Sequence, residues 1–128
     1  MNSLQFNLNS NIMTTHSISR EMEQFLLQNQ VSDTKRFKVI TCVLEAVSNV
    51  FMHASPELDS MIIVLHCDEH KITIDLLDDS TQQTLEAPKT CPPAESLSGR
   101  GLWIINNWMD SVRMQKTVAG SHLQLMLA

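Results

Sequence analysis

The sequence contains no apolar run that approaches the roughly 18 to 20 residues needed to cross a bilayer. Basic residues are few and scattered, since nine Lys and Arg stand against fourteen Asp and Glu, for a net charge of −5. A nucleic-acid-binding surface normally needs clustered Lys and Arg, so this balance argues against direct nucleic-acid binding. The N-terminal segment is polar and lacks the charged start and apolar stretch of a secretory signal.

Cysteine is also scarce, and no two cysteines form a Cys-x-x-Cys pair. Cys42, Cys67 and Cys91 are widely spaced and odd in number, which suits a reducing compartment where buried thiols act as small hydrophobic groups. We therefore expect a cytoplasmic protein. His66 and His70 flank Cys67, but no second ligand pair stands at zinc-finger spacing. A structural role is the favoured interpretation for these residues, and a zinc site is the alternative.

The chain has no internal repeat, low-complexity tract or linker, so we expect a single domain over residues 1–128. Apolar periodicity and turn residues predict, in the first half of the chain, a strand over 4–8, a helix from 14 or 15 to about 30 and a second helix from 32 or 33 to about 54. In the second half they predict a hairpin of 61–67 with 72–76, a loop over 78–98, a third helix after 101 and a closing hairpin of 112–117 with 123–127. This order predicts an α/β (α+β) two-layer sandwich, in which helices cover one face of a mixed, largely antiparallel sheet.

The three predicted helices carry apolar residues at intervals of three and four, which is typical of a face that packs on a core. The predicted core stripes are Ile18, Met22, Phe25 and Leu26 in the first helix, Phe37, Ile40, Leu44, Val47 and Phe51 in the second, and Leu102, Ile105, Trp108 and Met109 in the third. We expect these stripes to face the sheet.

A polar stripe runs beside the core stripe of the second helix. Glu45, Asn49 and His53 are spaced four apart, so each lies only about 40° further round the helix than the last. An amide oxygen suits Mg²⁺, and a carboxylate can orient or deprotonate an attacking hydroxyl. The stripe is a candidate metal–phosphate site, and on spacing alone a solvated helix face is the open alternative.

A second candidate site is the Gly99-Arg100-Gly101 turn, where the long loop enters the third helix. Glycines let backbone N–H groups approach a ligand closely, and a helix N-terminus favours anions. Arg100 can add a charge-assisted contact to phosphate. Asp78, at a strand end, can recognise the amino group of a base. A plain helix entry and a plain turn residue are the alternatives.

Together and in this order, these features resemble the GHKL superfamily of ATPases, and within it the anti-sigma-factor serine/threonine kinase group. Residues 45–54, EAVSNVFMHA, are similar to the N-box of that family. Residues 99–105, GRGLWII, are similar to its glycine box, and Gly120-Ser121 to its last small box. The resemblance spans about residues 4–127 and implies a Bergerat-type ATP-binding fold.

The resemblance implies a role for each of these residues. Glu45 would be the catalytic base, Asn49 would hold Mg²⁺ and Asp78 would read adenine. The cofactor-binding residues that it implies are Asn49, His53, Asp78, Ser80, Gly99, Arg100, Gly101, Leu102 and Ser121. It further implies a kinase that uses ATP and Mg²⁺, sequesters a sigma factor and phosphorylates an anti-sigma-factor antagonist. Dimers are common in the family, so a homodimer is compatible with it, although no interface can be read from the sequence.

One box departs from the family pattern. Where the family has Asp-x-Gly-x-Gly, residues 78–82 read DDSTQ, so Asp78 is kept while Ser80 and Gln82 replace both glycines. Gln82 places a side chain where the backbone usually passes close to the nucleotide. The alternative function is therefore a catalytically weakened or nucleotide-free partner-switching module of the same fold. A module that phosphorylates histidine in trans is a third hypothesis.

Overall fold

The structure is a computed structural model, and it describes residues 2–8, 15–53, 61–78, 100–117 and 120–128. The elements are β1 (Asn2–Leu8), α1 (Thr15–Gln28), α2 (Asp33–His53), β2 (Met61–Cys67), β3 (Ile72–Asp78), α3 (Arg100–Trp108), β4 (Ser111–Lys116) and β5 (Ser121–Leu127). This order confirms the predicted succession of elements. The predicted loop over 78–98 lies outside the described residues except for Asp78, which ends β3. Within the described ranges, no helix is long and apolar enough to cross a membrane.

The strands form one sheet in the order β1-β2-β3-β5-β4. Each pairing is antiparallel, so the predicted α/β sandwich is confirmed and the described sheet is antiparallel throughout rather than mixed. The reason lies in the path of the chain after β3. The connection through α3 leads to β4 at the sheet edge, and β5 then returns between β4 and β3. β4 therefore runs parallel to β3 without being its neighbour.

The sheet has one buried face and one half-exposed face, as strict alternation along its central strands shows. In β2 the residues Met61, Ile63, Leu65 and Cys67 are buried, and the residues between them are only partly covered. The buried residues of the strands join those of the helices in one core cluster. The helices therefore cover one face, as the sequence predicts, and the predicted stripes of α1 and α3 contribute to this core.

The predicted core stripe of α2 is partly wrong. Phe37 is 63% exposed, whereas the fully buried line of α2 runs through Val39, Val43 and Val47. Apolar residues occur on more than one side of this helix, so spacing alone does not identify the side that meets the sheet. The ring of Phe37 contacts that of Trp108 instead, with centroids 5.7 Å apart. The side chain of predicted member Phe51 lies outside the described part.

Hydrogen bonds at the α1–α2 turn set the position of α2, which carries the candidate site. After α1, Gln30 adopts a left-handed φ of 61°, and the Val31 N–H donates to the Leu26 carbonyl at 3.1 Å. This is the bond pattern of a Schellman motif. Arg36 then reaches back from α2 and donates to the Glu23 carboxylate at 3.0 Å and to the Val31 carbonyl at 2.6 Å. The start of α2 is thereby tied to α1.

Candidate functional site

The candidate site begins where α2 packs against α3. Gly101 is the second residue of α3, and Glu45 lies in the second half of α2. A Cβ atom built on Gly101 would lie 3.3 Å from both the Cβ and the Cδ atoms of Glu45, and it would overlap the Oε2 atom. Because Gly101 has no side chain, the Glu45 carboxylate can lie against the first turn of α3. The structure thus brings together one residue from each of two predicted boxes.

One turn further along α2, Asn49 is half-buried, and its Nδ2 atom is buried without a hydrogen-bond partner among the described residues. Buried amide groups normally have a partner. The nitrogen and oxygen of a side-chain amide occupy nearly equivalent positions, so either atom can take this place. With Oδ1 there, the residue would offer the kind of neutral oxygen that Mg²⁺ accepts. Asn49 therefore suits a metal ion, and its role as a ligand stays a prediction.

Asp78 and Ser121 lie opposite each other at one end of the sheet. Asp78 is the last residue of β3, Ser121 is the first of β5, and the register pairs them directly. Ser121 is 2% exposed, and Asp78 is half-buried. The alternation of β3 puts Asp78 on the same face as buried Leu76, which is the face that the helices cover. A carboxylate and a hydroxyl therefore stand side by side, which suits hydrogen bonding to a planar ligand such as a base.

The structure places the other predicted residues only in part. His53 ends α2 one turn beyond Asn49, and Arg100 begins α3, but both side chains lie outside the described part. Leu102 is half-buried in the first turn of α3. Gly99 and Ser80 lie outside the described residues. The assignment of these residues to a cofactor site stays a prediction.

The raised pKa of a neighbouring cysteine reflects the burial of the side of α2 that faces the core. Cys42 lies one turn before Glu45 on α2 and is fully buried. Burial, with a smaller contribution from the Glu45 charge, raises the pKa of the Cys42 thiol to about 12. The thiol is therefore protonated at neutral pH and acts as a small apolar group. This is the role the sequence predicts for a cysteine in a reducing compartment.

The structure also shows a polar cluster that spacing along the chain did not indicate. On the half-exposed sheet face, Asp75 accepts a hydrogen bond from Gln124 at 3.0 Å, lies 2.8 Å from His122 Nε2 and 3.7 Å from His66 Nε2. These residues come from three adjacent strands. Only the strand register could have brought them together, because Asp75 and His122 are 47 positions apart.

His66 thus contacts Asp75 and, through Nδ1, the Ser3 hydroxyl at 2.8 Å. His70 lies in the β2–β3 turn, with its side chain 91% exposed. Within the described ranges, no group of three or more His, Cys, Asp or Glu side chains is placed to hold a metal ion. The contacts of His66 are those of a residue that joins neighbouring strands, and the choice between a structural role and a zinc site stays a prediction.

The fold and the α2–α3 contact are features of one class of protein. Comparison with known families identifies this class. The model of the family described as the histidine kinase-like ATPase domain matches residues 8–127. The chain therefore belongs to the histidine kinase-like ATPase domain family. None of the curated proteins compared with the chain matches it.

Among solved structures, the chain is similar to the crystal structure of the RsbU and RsbW domains of Rv1364c from Mycobacterium tuberculosis. The TM-score is 0.72, the sequence identity is 11%, and the match covers 99% of this chain and 32% of that one. The chain thus spans about a third of the length of the protein it resembles. At this identity the likeness shows a shared fold, and it confirms the predicted one.

Proposed function

We propose that this chain is an ATP-binding regulatory serine/threonine protein kinase of the anti-sigma-factor type. In this role it sequesters a sigma factor and phosphorylates an anti-sigma-factor antagonist. The family supports nucleotide binding, and a solved chain of similar fold contains an RsbW domain. The observation that carries the proposal is the contact between the Glu45 carboxylate and Gly101, because it puts a candidate base beside a candidate phosphate-binding turn.

When bound, ATP would supply the phosphoryl group and leave as ADP, and Mg²⁺ would offset negative charge on the phosphates. Asn49 would hold the metal through its side-chain oxygen. The backbone N–H groups of the turn at Gly99 and Gly101 would bind phosphate oxygens at the N-terminus of α3, where a helix favours anions. The carboxylate of Glu45 would accept the proton of the attacking serine hydroxyl.

The base-recognition end of the site would be the Asp78–Ser121 pair. The Asp78 carboxylate accepts hydrogen bonds and so suits the exocyclic amino group of adenine. The Ser121 hydroxyl lies beside this carboxylate and can both donate and accept a hydrogen bond. Arg100, His53, Ser80 and Leu102 complete the proposed lining, as the resemblance implies for their positions.

A second candidate function is a partner-switching module of the same fold that is catalytically weakened or needs no nucleotide. The sequence DDSTQ at 78–82 favours it, because neither glycine of the family pattern is present. The two candidates differ in what they require of Asn49. Unchanged partner binding by an Asn49→Ala variant, with or without nucleotide, would support the binding module. Strict ATP dependence of partner binding would count against it.

The test begins with calorimetric titration of the chain with ATP and ADP, with and without Mg²⁺. Asn49→Ala and Asp78→Ala should both weaken binding, and only Asn49→Ala should abolish its Mg²⁺ dependence. Ser48→Ala is the matched control, since Ser48 is the exposed neighbour of Asn49 on α2. Absence of binding at millimolar nucleotide would exclude the kinase.

Phosphotransfer is tested with the chain and its co-purified cellular partners in the presence of γ-labelled ATP and Mg²⁺. Wild type should place acid-stable phosphate on serine or threonine of a partner, and Glu45→Gln should not. An acid-labile product would indicate phosphohistidine and thus the third hypothesis. Nucleotide binding without any transfer would indicate the partner-switching module.

A further inference from the structure

The contact between α2 and α3 has a steric property that phosphate binding does not require. A Cβ atom on Gly101 would overlap Oε2 of Glu45 and would press on the Cβ and Cδ atoms at 3.3 Å. Real Cβ atoms rarely come this close to other carbon atoms. The Glu45 side chain therefore fills the volume that any other residue at position 101 would occupy with its first carbon atom.

A half-buried glutamate needs something to hold its carboxylate, because its side chain has several rotatable bonds and loses entropy when it is ordered. The flat surface of a glycine on the facing helix provides such a boundary on one side. Because Glu45 and Gly101 lie on different helices, the position of the carboxylate depends on the packing of α2 against α3. The same packing places the turn that is proposed to bind phosphate.

We infer that Gly101 is a positioning residue for Glu45, in addition to its place in the proposed anion-binding turn. This inference rests on the proposed function for its catalytic consequence, but the contact itself can be tested without activity. Because Gly101 has no side chain, the space that a Cβ atom would take is open, and the Glu45 carboxylate lies in it. The identity of residue 101 thus controls whether the base is placed at the N-terminus of α3 or turned away from it.

The consequence of adding a single methyl group at position 101 follows from which atoms meet it. The overlapping atom is the end of a flexible side chain, so Glu45 can rotate away. The remaining 3.3 Å contact with its Cβ atom is relieved when the helices separate by a few tenths of an ångström. Alanine also favours a helix more than glycine does. Gly101→Ala should therefore fold, keep the backbone N–H groups of the turn, and displace the carboxylate.

The catalytic test is a double-mutant cycle of wild type, Gly101→Ala, Glu45→Ala and the double variant, measured as phosphotransfer rate at saturating Mg²⁺-ATP. A positioned general base contributes about 10²–10⁴-fold, so Gly101→Ala should lose on the order of 10²-fold in wild type. In the Glu45→Ala background it should cause no further loss. An equal fold-loss in both backgrounds would overturn the inference, since Gly101 would then act on the phosphates independently of Glu45.

The activity-independent test is ¹³C NMR of the glutamate carboxyl carbons, with the Glu45 signal assigned by its disappearance in Glu45→Gln. In Gly101→Ala the chemical shift of this signal should move. Asn106→Ala is the matched control, because it puts an alanine at an exposed position of the same helix. An unmoved Glu45 signal in Gly101→Ala would overturn the inference whether or not the chain binds ATP. If the signal moves but the chain binds no nucleotide, the contact between Gly101 and Glu45 is supported and the proposed function is excluded.

The double variant of the cycle keeps the test valid if Gly101→Ala alone fails to fold. Glu45→Ala removes every side-chain atom beyond Cβ, including the Oε2 and Cδ atoms that the new methyl group would meet. Gly101→Ala combined with Glu45→Ala should then recover a cooperative thermal unfolding transition. If the double variant stays unfolded, the methyl group is excluded by something other than the Glu45 carboxylate, and the inference fails.

Discussion

The Nε2 atom of His122 lies 2.8 Å from the Oδ1 atom of Asp75, on the sheet face away from the helices. Asp75 also accepts a hydrogen bond from Gln124 at 3.0 Å, and its side chain is only 16% exposed. The carboxylate therefore joins β3 to β5 by side-chain contacts in addition to the backbone ladder. β5 also carries Ser121 of the candidate site.

Replacing Asp75 should cost stability without affecting nucleotide binding. We expect Asp75→Ala to lower the free energy of unfolding by about 1.5–3 kcal/mol, because hydrogen bonds to a charged group are lost. Chemical denaturation checks the value. Thr73→Ala on the same strand and face is the control and should cost less. An unchanged free energy for Asp75→Ala would show that the cluster contributes nothing.

The left-handed residue after α1 predicts a stabilising substitution. Gln30 has a φ of 61° in a Schellman motif, a conformation that glycine adopts without the steric cost borne by other residues. The left-handed conformation costs a residue with a side chain about 1–2 kcal/mol, and the greater entropy of glycine in the unfolded chain offsets about 0.5–1 kcal/mol of this. Gln30→Gly should therefore raise the free energy of unfolding by about 0.5–1 kcal/mol. Gln24→Gly, at an exposed position in the interior of α1, should lower it by about 1 kcal/mol. If both variants were destabilised alike, the conformation of Gln30 would have to be revised.

The buried thiol of Cys42 predicts a loss of stability at alkaline pH. Its folded pKa is raised to about 12, whereas an unfolded cysteine titrates at about 8.5. The stabilisation is therefore complete below about pH 8.5 and decreases as the pH rises towards 12, because unfolding then releases a proton. Urea midpoints at pH 7 and pH 10 should differ more in wild type than in Cys42→Ala. Burial also raises the pKa of Cys67, so some alkaline sensitivity should remain in that variant.

The aromatic pair between α2 and α3 predicts a modest packing contribution to the helix contact that carries the site. The rings of Phe37 and Trp108 are 5.7 Å apart at an interplanar angle of 39°. Such pairs contribute about 0.5–1.5 kcal/mol beyond the area they bury. A double-mutant cycle of Phe37→Leu and Trp108→Leu should return a coupling energy in this range. Leu27→Ala, at an exposed position of α1, should show no coupling to Trp108→Leu.

The sequence alone predicted the order of the elements and the placement of Glu45 and Asn49 on one helix. It did so because helical periodicity and turn residues act locally, and because both residues belong to a recognisable box. It placed Phe37 in the core wrongly, because the apolar residues of α2 are compatible with more than one buried face. Only the tertiary contacts show that Phe37 meets Trp108.

The contacts that the sequence could not predict all join distant segments. The overlap of a Gly101 side chain with Glu45 depends on how closely two helices approach. The cluster around Asp75 depends on the register of three strands. Local patterns contain no information on either quantity. The roles of Ser80, Gly99 and the side chains of His53 and Arg100 remain predictions from the resemblance.

The position of β5 between β3 and β4 has a consequence for the protein during its synthesis. Among the described strands β5 comes last in chain order, yet it fills an interior place in the sheet. While a ribosome is still holding residues 121–127, β3 exposes an unpaired edge, and Asp78 has no Ser121 opposite it. A nascent chain in this state offers a strand edge to other chains. The Asp78–Ser121 end of the proposed nucleotide site can therefore form only after β5 has left the ribosome.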